Sequence, residues 1–95
     1  MEDHQVVLAQ LMERALSDKR IGTAHISLLV GLLYCSEFAG FDVPFQICGK
    51  RVRALAKFGS KATYHRKLRE LVEFGLISYH PSYHPVLGSR VVFLG

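Results

Sequence analysis

The sequence predicts a mostly α fold with a small β-hairpin, an α+β class in which two N-terminal helices precede two further helices and the hairpin. Three observations lead there. Apolar residues recur at helical spacing in four separate segments. The last two of these segments are joined by a short turn containing glycine. Residues 76 to 94 then hold two β-like runs around a loop with Pro81, Pro85 and Gly88. With 95 residues the chain is read as one domain. Residues 1–42 form a helical extension with a dimer-forming role, and 44–95 form the second half.

Residues 3–18 place Val7, Leu8, Leu11, Met12, Ala15 and Leu16 on one helical stripe. "IGT" interrupts, and Thr23 is suited to cap a second helix over 24–39. That helix is apolar over most of its surface, with Ile26, Leu28, Leu29, Val30, Leu32, Leu33, Tyr34 and Phe38. Either it is the central helix of the core or a second copy of the chain completes its burial, and a homodimer is expected. "GFDVP" breaks it. "FQI" at 45–47 is a short β-like run. Residues 48–57 carry Val52, Leu55 and Ala56 on one helical face. "FGS" turns the chain, with Gly59 suited to a positive φ. Ser60 caps a helix from Lys61 to about Phe74, and Gly75 stops it. "LISYH" and "RVVFL" are the strands of the hairpin, whose tip spans 81–89.

Composition excludes several classes. Nearly half the residues are hydrophobic, which is unlike a disordered tail. "MEDHQVV" lacks the basic start of a secretory signal. The most apolar run, "ISLLVGLLYC", is far short of the roughly 20 residues that cross a bilayer. Cys35 and Cys48 match no metal or redox spacing and are expected as free thiols in the cytoplasm. No nucleophile–base pair, phosphate loop or carboxylate pair marks an enzyme, and no cofactor is implied.

Charge is the most informative bulk property. The net charge is +4, yet residues 1–42 hold three basic residues against six acids, and residues 43–95 hold nine against two. Between Asp42 and Glu70 there is no acid, while the same window holds Lys50, Arg51, Arg53, Lys57, Lys61, Arg66, Lys67 and Arg69. Segregation of this kind is the footprint of a polyanionic partner. The plainer alternative is a solvated basic surface, which would intersperse its signs.

A short helix, a glycine turn and a second helix make a helix-turn-helix. In the second helix Tyr64, Leu68, Leu71, Val72 and Phe74 share one arc, which makes Tyr64 a core residue rather than a base-stacking one. Ala62, Thr63, Arg66, Arg69, Glu70 and Glu73 lie opposite, with His65 on the flank. Small and cationic groups thus occupy the N-terminal turns, where a recognition helix meets base edges and phosphates. Arg66 and Arg69 carry the strongest expectation, although Arg66 and Glu70 are also spaced to pair with each other. Lys67 is expected to lie across the apolar edge.

"SKATYHRKLRELVEFGLISY" is similar to the winged-helix DNA-binding families, through Ser60, Thr63, Arg66, Leu68, Leu71 and the Gly75-Leu76-Ile77 that opens the hairpin. Residues 44–94 also resemble small winged-helix proteins of bacterial mobile elements. The resemblance implies a winged helix-turn-helix preceded by two helices, with helix 61–74 in the major groove of double-stranded DNA and the wing on the backbone. The DNA contacts expected are Lys50, Arg51, Ser60, Lys61, Ala62, Thr63, His65, Arg66, Arg69, Tyr83, His84 and Arg90. The expected role is transcriptional regulation. The alternative is a binding module in a replication, excision or mobilisation complex. Two departures stand out: Cys48 replaces a Ser or Thr cap, and the wing holds little Lys or Arg.

"SYHPSYHP", residues 78–85, repeats a tetrapeptide and sets His80 and His84 four apart. In extended chain they would stand roughly 13 Å apart at about 3.3 Å per residue. Zinc needs nitrogens at about 2 Å from one ion. No Cys, Asp or Glu in the hairpin completes a ligand set. A wing stiffened by two prolines, without metal, is therefore the expectation.

Overall fold

The computed structural model describes residues 4–37, 39–82 and 88–95. Phe38, Tyr83, His84, Pro85 and the side chain of Val7 lie outside what is described. Four helices, α1 (His4–Ser17), α2 (Thr23–Ser36), α3 (Gly49–Leu55) and α4 (Lys61–Glu73), accompany three strands, β1 (Phe45–Ile47), β2 (Ile77–His80) and β3 (Ser89–Phe93). The strands form one antiparallel sheet in the order β1-β3-β2. The α+β class stands, but the hairpin is not alone. "FQI" pairs with β3, with Phe45 opposite Val91 and Ile47 opposite Ser89. A two-stranded hairpin is marginal by itself, and β1 makes β3 a central strand.

Alternation gives the sheet two faces. Ile47, Ile77, Val91 and Phe93 are buried against the helices. Gln46, Arg90 and His80 stand in register across the three strands on the other face. Phe45 and Phe93 pack with ring centroids 5.0 Å apart. Gly88, at φ 68, passes so close to the Ile47 carbonyl that a Cβ there would lie 2.5 Å from its oxygen.

One buried cluster runs from Leu11 to Phe93 with no break near residues 42–44. α2 is its central helix, packing on α3, α4 and β1. His25, Leu28, Leu29, Gly31, Leu32, Leu33 and Ser36 are all buried. Gly31 lets α2 approach α3 closely, since a Cβ there would sit 3.4 Å from that of Ala56. The Ser27 hydroxyl donates to the Ala56 carbonyl and fixes the same contact. α2 is thus covered largely from within. Its apolarity does not require a second copy, and only Val30 and Tyr34 remain exposed among its described large apolar residues.

Four local expectations change. The N-cap of α2 is Gly22, not Thr23, because the His25 ring reaches back and its Nδ1 accepts the Gly22 N–H at 2.9 Å. The left-handed residue before α4 is Lys57 (φ 66), not Gly59. It ends α3 in a Schellman motif, with Phe58 N–H donating to the Arg53 carbonyl and Lys57 N–H to that of Ala54. Leu16 is 73% exposed, since α1 buries a narrower stripe centred on Leu11 and Ala15. Leu55 and Val72 also sit at the surface rather than in their helices' buried faces. The expected Ser60 cap and Gly75 stop are both present. Ser60 Oγ accepts the Thr63 N–H at 3.3 Å, and Gly75 (φ 79) closes a second Schellman motif on Leu71 and Val72.

A candidate nucleic-acid interface

α4 is held from one side and open on the other. Tyr64, Leu68 and Leu71 are its buried stripe, one turn apart as a helix requires. Tyr64 is 2% exposed, as its place on the apolar arc leads one to expect. Lys61, Ala62, His65, Arg66 and Arg69 are exposed, and Thr63 is half-buried. The N-terminal turns of α4 therefore present the side chains expected of them.

The C-terminal end of the same helix is clamped by the first quarter of the chain, which sequence reasoning left without a site role. Arg14 donates through one Nη to the Gly75 carbonyl at 2.8 Å and through the other to that of Leu94. Arg20 is chelated by Asp18 at 2.6 Å and stands 4.3 Å over the Phe74 ring. His25 packs edge-on against Phe74 at 5.6 Å. Because Nδ1 of His25 accepts from Gly22, the ring proton sits on Nε2, which donates to Glu70 Oε1 at 2.9 Å. Lys67 Nζ adds a second contact to that oxygen at 3.1 Å. The His25 hydrogen bond, then that of Lys67, holds the Glu70 carboxyl below its ordinary value.

The Arg66–Glu70 pair that the spacing allows does not form. Glu70 turns inward to His25 and Lys67, so Lys67 is a neutralised edge residue. Among the described residues neither Arg66 nor Arg69 has a carboxylate partner. The sequence signal for His25 was a ring at the third position of a helix that follows glycine, where a capping side chain reaches back.

The remaining expected contacts divide. Lys50 is exposed on α3 and lines a cleft of about 630 Å³ with Lys61 and His65 of α4. Arg53 lines it too, although sequence reasoning counted it only as bulk charge. Arg51 turns the other way, over the Tyr34 ring at 5.8 Å. Arg90 is exposed but stands on the sheet face opposite the helices, so the fold does not bring it to the face of α4. Tyr83 and His84 lie outside the described residues. Across α4, a groove of about 450 Å³ between helix and β2 is bordered by His65, Arg69, Val72 and Tyr79, which accounts for the exposure of Val72.

His80, the first histidine of the repeat, has its Nε2 2.9 Å from the Ser78 hydroxyl. Among the described residues no three His, Cys, Asp or Glu side chains gather as metal ligands. Cys35 and Cys48 are free thiols, and burial pushes the Cys35 thiol up. No described helix is long and apolar enough to cross a membrane. Compared with protein-family models, curated proteins and solved structures, the chain matches none.

Proposed function

We propose that this protein is a winged helix-turn-helix that binds duplex DNA, with α4 entering the major groove. The element order α2-β1-α3-α4-β2-β3 and the sheet order β1-β3-β2 support the winged-helix reading. The observation that carries the function is the disposition of Glu70. The acid spaced to neutralise Arg66 is engaged by His25 and Lys67. Among the described residues this leaves Arg66, Arg69, Lys61 and His65 exposed and without a carboxylate partner, beside the small Ala62. Such a row suits base edges in the groove and phosphates at its margin. The role we attach to this binding is transcriptional regulation by a non-enzymatic protein.

Selection from a randomised duplex pool supplies the site, and fluorescence anisotropy then measures affinity. Arg66→Ala and Arg69→Ala should each cost about 1–3 kcal/mol where the arginine reads a base. Affinity should fall steeply with salt as phosphate-bound cations are released. Unchanged binding in both single variants and in the double variant would remove α4 as the recognition helix.

A further inference from the structure

The cleft between α3, α4 and the sheet shares Lys61 and His65 with the row offered to DNA, but it also has a feature which that row does not use. Lys50, Arg53, Lys61 and His65 all line it, and none of its described lining residues is acidic. Tyr64 lines it as well. Its hydroxyl is buried and, among the described residues, has no hydrogen-bond partner. A buried hydroxyl left unpaired is costly, and native structures rarely keep one. The hydroxyl end lies beside Gly49, another lining residue, since a Cβ on Gly49 would stand 3.7 Å from that oxygen. Burial pushes the Tyr64 phenol up to about 12, so at neutral pH it is an O–H donor.

We propose that this cleft is a phosphoryl-binding site, with the Tyr64 hydroxyl as its buried donor and Lys50, Arg53 and Lys61 as its charge. Three permanent cations around one anion would leave a monocarboxylate overcompensated. A phosphate carries up to two charges and several acceptor oxygens, which matches the donors better. The phosphate can belong to a nucleic-acid backbone or be free in solution. Both sources share this chemistry.

The experiment is an NMR titration of the intact chain with sodium phosphate, with sodium acetate and sodium chloride at matched ionic strength as controls. Phosphate should give saturating shifts at Gly49, Lys61 and Tyr64, and the controls should not. Tyr64→Phe deletes only the oxygen and leaves the ring in place, so the fold should persist. It should weaken phosphate at least about tenfold, the loss of one charge-assisted hydrogen bond. Gly49→Ala adds a methyl group in ordinary contact distance of the phenol. It should weaken phosphate similarly by filling the approach. A second arm measures a duplex of fixed sequence with the same variants.

Saturation by phosphate that both variants weaken supports the site for free phosphate. Weakening of duplex binding alone supports it for backbone phosphate. Equal binding of acetate overturns the phosphoryl assignment. If Tyr64→Phe and Gly49→Ala leave both phosphate and duplex binding unchanged, the hydroxyl is only a packing defect and the proposal fails. Failure of Arg66→Ala and Arg69→Ala to affect DNA would remove the α4 reading and leave this site standing.

Discussion

At the scale of single residues, two side chains have consequences that can be measured. Cys48 occupies the N-cap of α3, and its thiol makes no capping hydrogen bond to the first turn. A hydroxyl there would accept an amide of the first turn, so Cys48→Ser should gain about 0.5–1 kcal/mol in urea unfolding. Glu70 gives a pH dependence whose sign follows from its partners. Its folded carboxyl titrates below the ordinary value of 4.5, so folding favours the ionised form. The contribution is fully present above that value and is lost as pH falls through the lowered one. The urea midpoint of the parent should therefore drop more than that of Glu70→Gln between neutral pH and well below 4.5. Asp18, held at about 2 by its hydrogen bonds from Arg20, contributes with the same sign in both proteins and cancels from the comparison. Ser60, Tyr64 and Gly75 were legible because cap, core position and C′ glycine are set by neighbours within a turn. The partner of Glu70 was not, because His25 is 45 residues away.

At the scale of elements, α4 is organised by what holds its far end. Arg14 ties α1 to the Gly75 and Leu94 carbonyls, the exits of α4 and β3. Arg14→Ala leaves both part-buried carbonyls without this donor and should cost about 1–3 kcal/mol. Hydrogen exchange should quicken first in the last turn of α4, while the N-terminal turn capped by Ser60 should change less. Uniform loss of protection along the helix would mean that the clamp has no local effect. The helices were legible in outline because period 3.6 marks them without knowledge of their neighbours. Their edges were less so. Leu16, Leu55 and Val72 lie on apolar faces by period, yet α1, α3 and α4 each bury only part of that face. The pairing of β1 with β3 joins residues more than forty positions apart, and alternation carries no sign of a distant partner.

At the scale of the whole molecule, the N-terminal helices and the basic half form one cluster. This removes the apolarity of α2 as the ground for the expected homodimer. α2 finds its cover in α3, α4 and β1, and among the described residues its own exposed large apolar side chains are Val30 and Tyr34. Leu55 lies one turn along α3 from the Arg51 that stands over Tyr34. Light scattering at micromolar concentration should therefore give a mass near 10.7 kDa. Twice that mass, returned to the single value by Tyr34→Glu, would show that this small patch suffices for a symmetric dimer.

The sequence by itself determined the helix segments, the caps at Ser60 and Gly75, the core stripe of α4 and the concentration of positive charge after Asp42. Each is set by local spacing or by composition, and neither needs a partner to be known. Only the tertiary structure decided which charges remain available. It turned Glu70 and Lys67 to His25, sent Arg51 toward Tyr34 and placed Arg90 on the outer sheet face. It also placed Lys50, Arg53 and Lys61 in the lining of a cleft that Tyr64 lines as well, its hydroxyl without a partner among the described residues. The reason is physical: a charge is neutralised by what stands within a few ångströms, and packing, not sequence distance, sets that neighbourhood.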